Sequence, residues 1–461
     1  MHTVDKIVPT ESQSELCYKI EKFLESPEMF FLLTGKPGVG KTTVTQIFLK
    51  KYIELDKANE HSSANPNVAG ITLSHQAKNV LGEHIPNVYT FAKAYGMKEV
   101  YNQANGSRKF IYDTKANERG VIGDLEVPVF IHDEISTYTD EMLEIVQSRT
   151  SIYSKVIFVG DIAQLPPIDP EGKMAVDSDS SVFSINIPES CKHELTERVR
   201  QAEGNKILDL TDIIRKEILG EQNLEVVMKA ISQPQMIEGL GYDHVTYPDF
   251  LKHYSQKKVD QVKLIGFRNK TIEYFNNRIR NNLFDNPKEV IIDNDFVCMT
   301  NNFHNKYPSP SQSSYVLHNS DCFTVKGVHT KSLVFTLSIK TYYIECFQTM
   351  IVDDELGKVF ITPTPEGFVE FNKALSETAE LCKKGKLEWS KWWSFKESFC
   401  DYTYGYAVTA YKAQGSTYRS VYLDVNDILL TGPLTPKRKL QSIYTAATRA
   451  KETVHFLKRE R

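Results

Sequence analysis

Apolar and polar positions along this chain predict repeated units of strand, polar loop and helix. The segment MFFLLTGKPGVGKTTVTQIFLKKYI opens with an apolar run, breaks at glycines and resumes with apolar residues at helical spacing. That pattern predicts a strand, a tight turn and a helix. VPVFIHDEIS predicts a second strand that delivers Asp133 and Glu134 to its carboxyl end, and SKVIFVGDIAQLPPI a third that ends at Gly160, Asp161 and Gln164. Three strands with polar loops at one end predict a parallel sheet whose ligand sits at its carboxyl edge. EVYNQANGSRKFIYDTK alternates around Asn105-Gly106, a strong short-range signal for a β-hairpin. Further on, IIDNDFVCMT, SYVLHNSDCFTV and SLVFTLSIKTYYIECFQTMIV predict the strands of a small β module.

The first loop carries the sharpest chemistry. GKPGVGKT, Gly35 to Thr42, fits G-x-x-x-x-G-K-[ST], in which glycines let successive backbone N–H groups turn inward around phosphates. Gly35, Pro37, Gly38, Val39, Gly40, Lys41, Thr42 and Thr43 are therefore the expected cradle for ATP, with Lys41 on the β- and γ-phosphates. Thr42 and Asp133 are the expected Mg²⁺ ligands, and Glu134 the group that orients and deprotonates the attacking water. A chance glycine turn and a solvated turn after a strand are the plainer readings. Agreement of strand, spacing and helix argues against both. These features alone serve kinases, transporters and GTPases equally well.

Composition narrows the class a little. At roughly 100 to 200 residues per domain, a chain of 461 residues predicts about three or four units. No apolar run approaches the roughly 20 residues of a membrane helix, and the start has neither a basic leader nor an apolar segment, so a cytoplasmic protein of a bacterial or phage-infected cell is expected. Seven scattered cysteines without a CxxC pair predict reduced thiols and no zinc. A net charge of only −4 excludes attraction to nucleic acid by the mean field, so any DNA contact must be local.

The remaining segments resemble superfamily-one helicases. GDIAQLPPI resembles their motif III, and ELTERVRQ, Glu194 to Gln201, the LTE-x-x-R segment of the RecD-like branch. TAYKAQGST, Thr409 to Thr417, resembles motif V, and IYTAATRAK, Ile443 to Lys451, motif VI, all in the family's order. TESQ, ending at Gln13, resembles the adenine-reading Q motif. Within the family, IGFRNKTIEYFNNRIR and WSKWWSFKESF resemble the Dda-like phage helicases most, and the likeness spans nearly the whole chain. One departure is Tyr411, where the family usually has histidine ahead of Lys-x-Gln-Gly. It puts a histidine-specific hydrogen bond in doubt.

The resemblance implies an α/β fold of two RecA-like parallel-sheet motor domains, with a β-hairpin arm inserted in the first and a small SH3-like β-barrel in the second. The expected boundaries are 1–88 and 127–190 for motor 1A, 89–126 for the arm 1B, 191–289 and 402–461 for motor 2A, and 290–401 for the barrel 2B. It implies that Arg200 and Arg449 stabilise charge on the γ-phosphate and that Gln164 senses it. His75 and Phe91 are the expected base-stacking residues, with Asn269, Thr409 and Lys412 on the DNA backbone. Phe110 and Tyr112 are the candidates for a pin that wedges a duplex apart. Packing is the expected role of Trp389, Trp392 and Trp393. The implied function is an ATP-dependent DNA helicase, 5′ to 3′ by resemblance alone, that works as a monomer on single-stranded and fork DNA. Single-strand-binding and replisome proteins are further candidate partners. The alternative is a single-strand-stimulated translocase that displaces bound proteins with little unwinding; a P-loop kinase gives no account of motifs V and VI.

Overall fold

Strands buried on both faces read as continuous apolar runs, and the first sheet is built from such runs. The structure, a computed structural model, describes residues 10–41, 44, 67–105, 107–111, 127–167, 179–197, 204–305, 315–337, 340–352, 358–432 and 434–458. The chain divides into two units: unit 1 is Met1–Lys98, Tyr112–Val245 and Ala413–Arg459, and unit 2 is Glu99–Ile111, Thr246–Lys412 and Glu460–Arg461.

In unit 1, strands β1 (Phe30–Gly35), β2 (Val68–Thr72), β3 (Val88–Thr90), β4 (Val129–His132), β5 (Lys155–Gly160) and β6 (Lys192–Leu195) lie in the order β3-β2-β4-β5-β1-β6. Every neighbouring pair is parallel. Both β2 and β4 are buried at every residue, which is why their sequences show no alternation. Register places Thr34 beside Gly160 and His132 beside Phe158, so β1, β4 and β5 finish nearly level. The helix Glu11–Glu25 starts with a reciprocal Thr10–Gln13 capping box and buries Leu16, Ile20 and Phe23 in the same core. Unit 1 also holds the strands Tyr418–Leu423, Ala450–Lys458, Leu240–Thr246 and Gln235–Ile237 in that order, the first two parallel. Helices Lys206–Leu219 and Pro436–Ala447 pack on each other.

Unit 2 has its own α/β portion: strand Val262–Gly266 runs parallel to Ala407–Thr409, with the helix Asn269–Leu283 against both. The predicted β module is a five-stranded sheet of Val359–Pro363, Lys340–Ile351, Cys322–Leu337, Phe296–Met299 and Tyr402–Tyr404, antiparallel throughout. Its last strand lies just past the expected boundary at 401. Two short strands, Lys98–Tyr101 and Arg108–Ile111, pair as a two-stranded sheet where the alternation around Asn105 predicts a hairpin. Their turn is held by Asn102 N–H donating to the Ser107 carbonyl (2.9 Å) and Ser107 N–H donating to Asn105 Oδ1 (2.9 Å). Trp389 is buried and donates its indole N–H to the Gln103 carbonyl of that turn (3.3 Å), while Trp392 donates to the Leu375 carbonyl (2.9 Å). The tryptophans thus pack the module, and one of them also holds the turn.

Two observations correct the sequence reading. Cys298 and Cys322, opposite each other in register, form a disulfide, so these two thiols are not reduced; Cys17, Cys191, Cys346, Cys382 and Cys400 are free. The second concerns Phe91, described below with the site.

A buried polar knot joins the two parts of unit 2. Arg280, on the helix Asn269–Leu283, makes a bidentate pair with Asp295 (2.7 and 2.8 Å) and also reaches the Glu289 carbonyl (2.9 Å). Asp295 further accepts from Ile292 N–H, and the Tyr406 hydroxyl lies 3.3 Å from its Oδ1. Removing one member of a buried pair strands the other charge, so Asp295→Ala should cost about 3–5 kcal/mol in urea unfolding of the whole chain. The double variant Arg280→Met/Asp295→Leu should recover most of that. An unchanged urea midpoint in Asp295→Ala would show that the pair contributes nothing.

Candidate nucleotide and DNA site

The cleft sits at the carboxyl edge of the first sheet. It has a volume of about 310 Å³ and is lined by Pro37, Gly38, Gly40, Lys41, Asp133, Glu134, Gly160, Gln164 and Arg449, together with Ala77, Val80, Gly415 and Thr417. All of these residues belong to unit 1. A larger cavity of about 640 Å³ lies in unit 2, lined by Phe368, Phe371, Tyr402 and Tyr404. Chemistry rather than size selects the smaller one, because only it has the glycine turn.

Gly38 and Gly40 both have φ of +79°, a left-handed conformation that turns the loop and disfavours any side chain. Lys41 donates to the carbonyls of Gly35 (2.7 Å) and Lys36 (3.2 Å), which holds its ammonium across the mouth of the loop. Burial lowers its pKa, opposed by the nearby Asp161, Glu134 and Asp133. Gln13 is buried and donates its side-chain amide to the Val39 carbonyl (3.1 Å), so the Q-motif glutamine is tied to the phosphate loop. Thr42 and Thr43 lie outside the described residues.

Beyond β4 the backbone turns sharply. Glu134 has φ 56° and ψ 40°, left-handed for a non-glycine residue, and its N–H donates to Asp133 Oδ1 (2.9 Å). Such a conformation persists only where surrounding structure imposes it, and it is common at functional sites. Gly160 permits the turn: a Cβ there would come within 2.6 Å of Ile135 Cγ1. Burial and then the adjacent Glu134 push the Asp133 carboxyl up, while the Glu134 N–H and Lys41 hold it down. The charge of Glu134 thus disfavours that of Asp133, and a divalent cation beside Asp133 would oppose the effect. The site therefore fits a magnesium-bound nucleotide.

The Gln164 and Arg449 side of the cleft is assembled by contacts that no local pattern revealed. Gln164 is buried, and its side-chain oxygen accepts no hydrogen bond among the described residues, which leaves it available to the cleft. Asp161 accepts from the Tyr444 hydroxyl (2.7 Å) and lies 3.4 Å from Arg215. Leu165 N–H donates to Thr445 Oγ1 (3.1 Å), and Gln414 donates to the Leu165 carbonyl (3.3 Å). Motif III is thereby stitched to the motif V and VI segments. Arg449 is buried at the cleft and anchored by its own donations to the carbonyls of Thr445 (3.1 Å) and Ser416 (3.4 Å). Arg200 lies outside the described residues.

Among the DNA candidates, His75 is half-buried at the start of the helix His75–Gly82. Phe91 is 2% exposed and packs against Tyr95 and edge-on to Tyr138. A ring with no free face cannot stack on a base, so the stacking assignment of Phe91 is withdrawn; its apolar surface belongs to the core. In unit 2, register places Thr409 beside Gly266, and Asn269 begins the helix that follows that strand. Lys412 donates its N–H to Thr409 Oγ1 (3.3 Å), so Asn269, Thr409 and Lys412 gather at one end of the parallel pair. Rings of Phe267 and Tyr411 lie 6.4 Å apart there, so the aromatic departure from the family pattern sits beside these residues. Phe110 is in the strand Arg108–Ile111, and Tyr112 lies outside the described residues.

Two substitutions test the cleft. Lys41→Ala should abolish ATP hydrolysis while leaving the fold intact; wild-type-like turnover would overturn the assignment. Glu134→Gln should reduce turnover about 10²- to 10⁴-fold. Binding of a fluorescent nucleotide should persist in that variant, since Asp133 and the loop remain, and its loss would contradict the division of roles.

The chain matches the AAA domain family over residues 10–230 and the UvrD-like helicase C-terminal domain family over residues 404–457. It is 24% identical to the ATP-dependent DNA helicase dda of Enterobacteria phage T4, over 90% of this chain and 92% of that protein. It is also 24% identical to protein R530 of Acanthamoeba polyphaga mimivirus, over 95% and 97%. A crystal structure of a Pif1 helicase from Bacteroides in complex with ADP-AlF3 and ssDNA aligns with a TM-score of 0.48 at 15% identity, covering 98% of this chain and 92% of that one. The chain thus matches the AAA domain and UvrD-like helicase C-terminal domain families in the order its motifs require, and over nearly its whole length it is similar to the dda helicase.

Proposed function

We propose that this chain moves 5′ to 3′ along one DNA strand and parts the duplex ahead of it, with a catalytic cycle carried by the unit 1 cleft. It is an ATP-hydrolysing DNA helicase. The observation that carries the reading is the convergence of Lys41, Asp133, Glu134, Gln164 and Arg449 on one cleft, because hydrolysis needs phosphate charge, a water-orienting carboxylate and a transition-state cation together. When bound, Mg²⁺ supplies charge neutralisation on the phosphates, and Thr42 and Asp133 are the residues that would hold it. Glu134 takes the proton of the attacking water, Gln164 orients toward the γ-phosphate, and Arg449, with Arg200, meets the charge that develops there. Gln13 supports the loop and reads the adenine.

The domain scheme of two motors, a hairpin arm at 89–126 and an SH3-like module at 290–401 accounts for the motif order and for four of the five strands of the antiparallel sheet. DNA is held through Asn269, Thr409, Lys412 and His75, and through the segment Tyr89–Gly96, which presents Lys93 at the surface while Phe91 supports it from inside. The protein acts as a monomer on fork DNA in phage-type replication or recombination, where single-strand-binding and replisome proteins are its candidate neighbours. The turn held by Trp389 favours unwinding over simple protein displacement, since a braced arm can bear load against a duplex.

Single-stranded DNA should raise the ATPase rate strongly and blunt duplex little, with affinity that falls as salt rises. Forks with opposite tails, assayed in parallel, read polarity: a preference for a 3′ tail would reverse the assignment. Replacing Phe110 or Tyr112 by alanine should remove a stacking surface worth roughly 1–3 kcal/mol and depress unwinding while ATPase and translocation stay near normal. If neither variant affects unwinding, the arm is not the wedge.

A further inference from the structure

His132 stands directly before the carboxylate pair and has no exposed surface. Its Nε2 is 3.2 Å from the Tyr95 hydroxyl and its Nδ1 is 3.1 Å from the Tyr138 hydroxyl. The Tyr95 hydroxyl in turn lies 3.4 Å from Thr150 Oγ1. A neutral imidazole donates from one nitrogen and accepts at the other. In one direction Tyr138 donates to Nδ1, Nε2–H donates to Tyr95 and Tyr95 donates to Thr150, which leaves the Thr150 hydrogen without an acceptor within the group. The reverse direction leaves the Tyr138 hydrogen with no acceptor among them.

Position gives this chain its leverage. His132 and Tyr138 bracket Asp133, Glu134 and the short turn Ile135–Thr137, so the bond between them closes a loop across the two catalytic carboxylates. Within that loop Glu134 keeps a left-handed backbone that its surroundings must impose. At the other end, Tyr95 and Phe91 belong to the segment Tyr89–Gly96. Phe91 lies 4.6 Å from the Tyr95 ring and meets the Tyr138 ring edge-on at 5.5 Å, so a shift of that segment presses on both relay tyrosines. Packed interiors transmit such displacement, because there is no slack to absorb it.

We propose that Tyr95, His132 and Tyr138 are positioning residues that transmit occupancy of the Tyr89–Gly96 segment by single-stranded DNA to the backbone of Asp133 and Glu134, so that DNA binding aligns the hydrolytic carboxylate. This rests on the reading of that segment as part of the DNA track. No member of the relay touches nucleotide; each acts through the geometry of Glu134.

The test measures steady-state ATPase against single-stranded DNA for wild type, Tyr138→Phe, His132→Phe and His132→Gln. In Tyr138→Phe the rate without DNA and the KM for ATP should stay within about twofold of wild type, while DNA-stimulated kcat falls roughly tenfold, the scale of a typical coupling between sites. DNA affinity should hold. His132→Phe should lose the stimulation, and His132→Gln, whose amide both donates and accepts, should recover part of it. Stimulation at the wild-type level in both phenylalanine variants overturns the relay and leaves the motor reading standing. Loss of the basal rate along with the stimulated one in Tyr138→Phe also overturns it, since that is the mark of a structural residue. A wild-type ATPase indifferent to DNA would instead remove the DNA-motor reading itself, and the relay with it.

Discussion

Register within one parallel sheet is the constraint on which the rest depends. Strands β1, β4 and β5 are hydrogen-bonded in the order β4-β5-β1, and their carboxyl ends finish almost level. The phosphate loop, the carboxylate pair and the motif III loop leave those ends, so a single pairing pattern brings three distant stretches of sequence into one cleft. A one-residue slip would exchange the faces of a strand and misdirect its loop. Burial of β4 and β5 on both sides makes such a slip costly, because apart from Lys155 their residues already sit in the core. The stability of the sheet is thus also the precision of the site.

That precision is bought with local strain. Glu134 departs from ordinary backbone conformation, and the absence of a side chain on Gly160 lets Ile135 close behind it. Both features are matters of backbone rather than side-chain chemistry, yet they decide where the carboxylate points. The same logic explains why Asp133 and Lys41 carry opposed shifts: burial disfavours each charge, and proximity restores part of the loss. A cleft built this way is poised for a charged ligand.

Legibility in the sequence followed the range of each interaction. GKPGVGKT and VPVFIHDEIS were readable because strand, turn and chemistry lie within a few residues of one another. The pairing of Lys98–Tyr101 with Arg108–Ile111 was readable for the same reason. Phe91 was misassigned because an exposed and a buried phenylalanine look alike in a helical segment, and only the rings of Tyr95 and Tyr138 distinguish them. The Cys298–Cys322 pair escaped because strand register, which spacing does not encode, brings the two together. Trp389 was expected only to pack, and its bond to Gln103 spans most of the chain. His132 offered no signal beyond a polar letter in an apolar strand.

The helix Pro436–Ala447 shows how motif VI is kept in place. Gln441, Ser442 and Thr445 are wholly buried on it and Arg438 nearly so, an arrangement that is tolerable only if each polar group finds a partner. Arg438 donates to Gln441 Oε1 (2.6 Å), Gln441 donates to the Ile162 carbonyl (3.4 Å), and Thr445 accepts from Leu165 N–H. Tyr444 from the same helix grips Asp161. The motif III loop is consequently the set of partners that makes the helix's polar face affordable, and the helix is what holds Gln164 at the cleft. Neither can move far alone without stranding buried donors, each worth about 1–3 kcal/mol when left unpaired. Gln164 and Arg449 are therefore held at the cleft by one interlocked element, since Thr445 both accepts from Leu165 N–H and offers its carbonyl to Arg449.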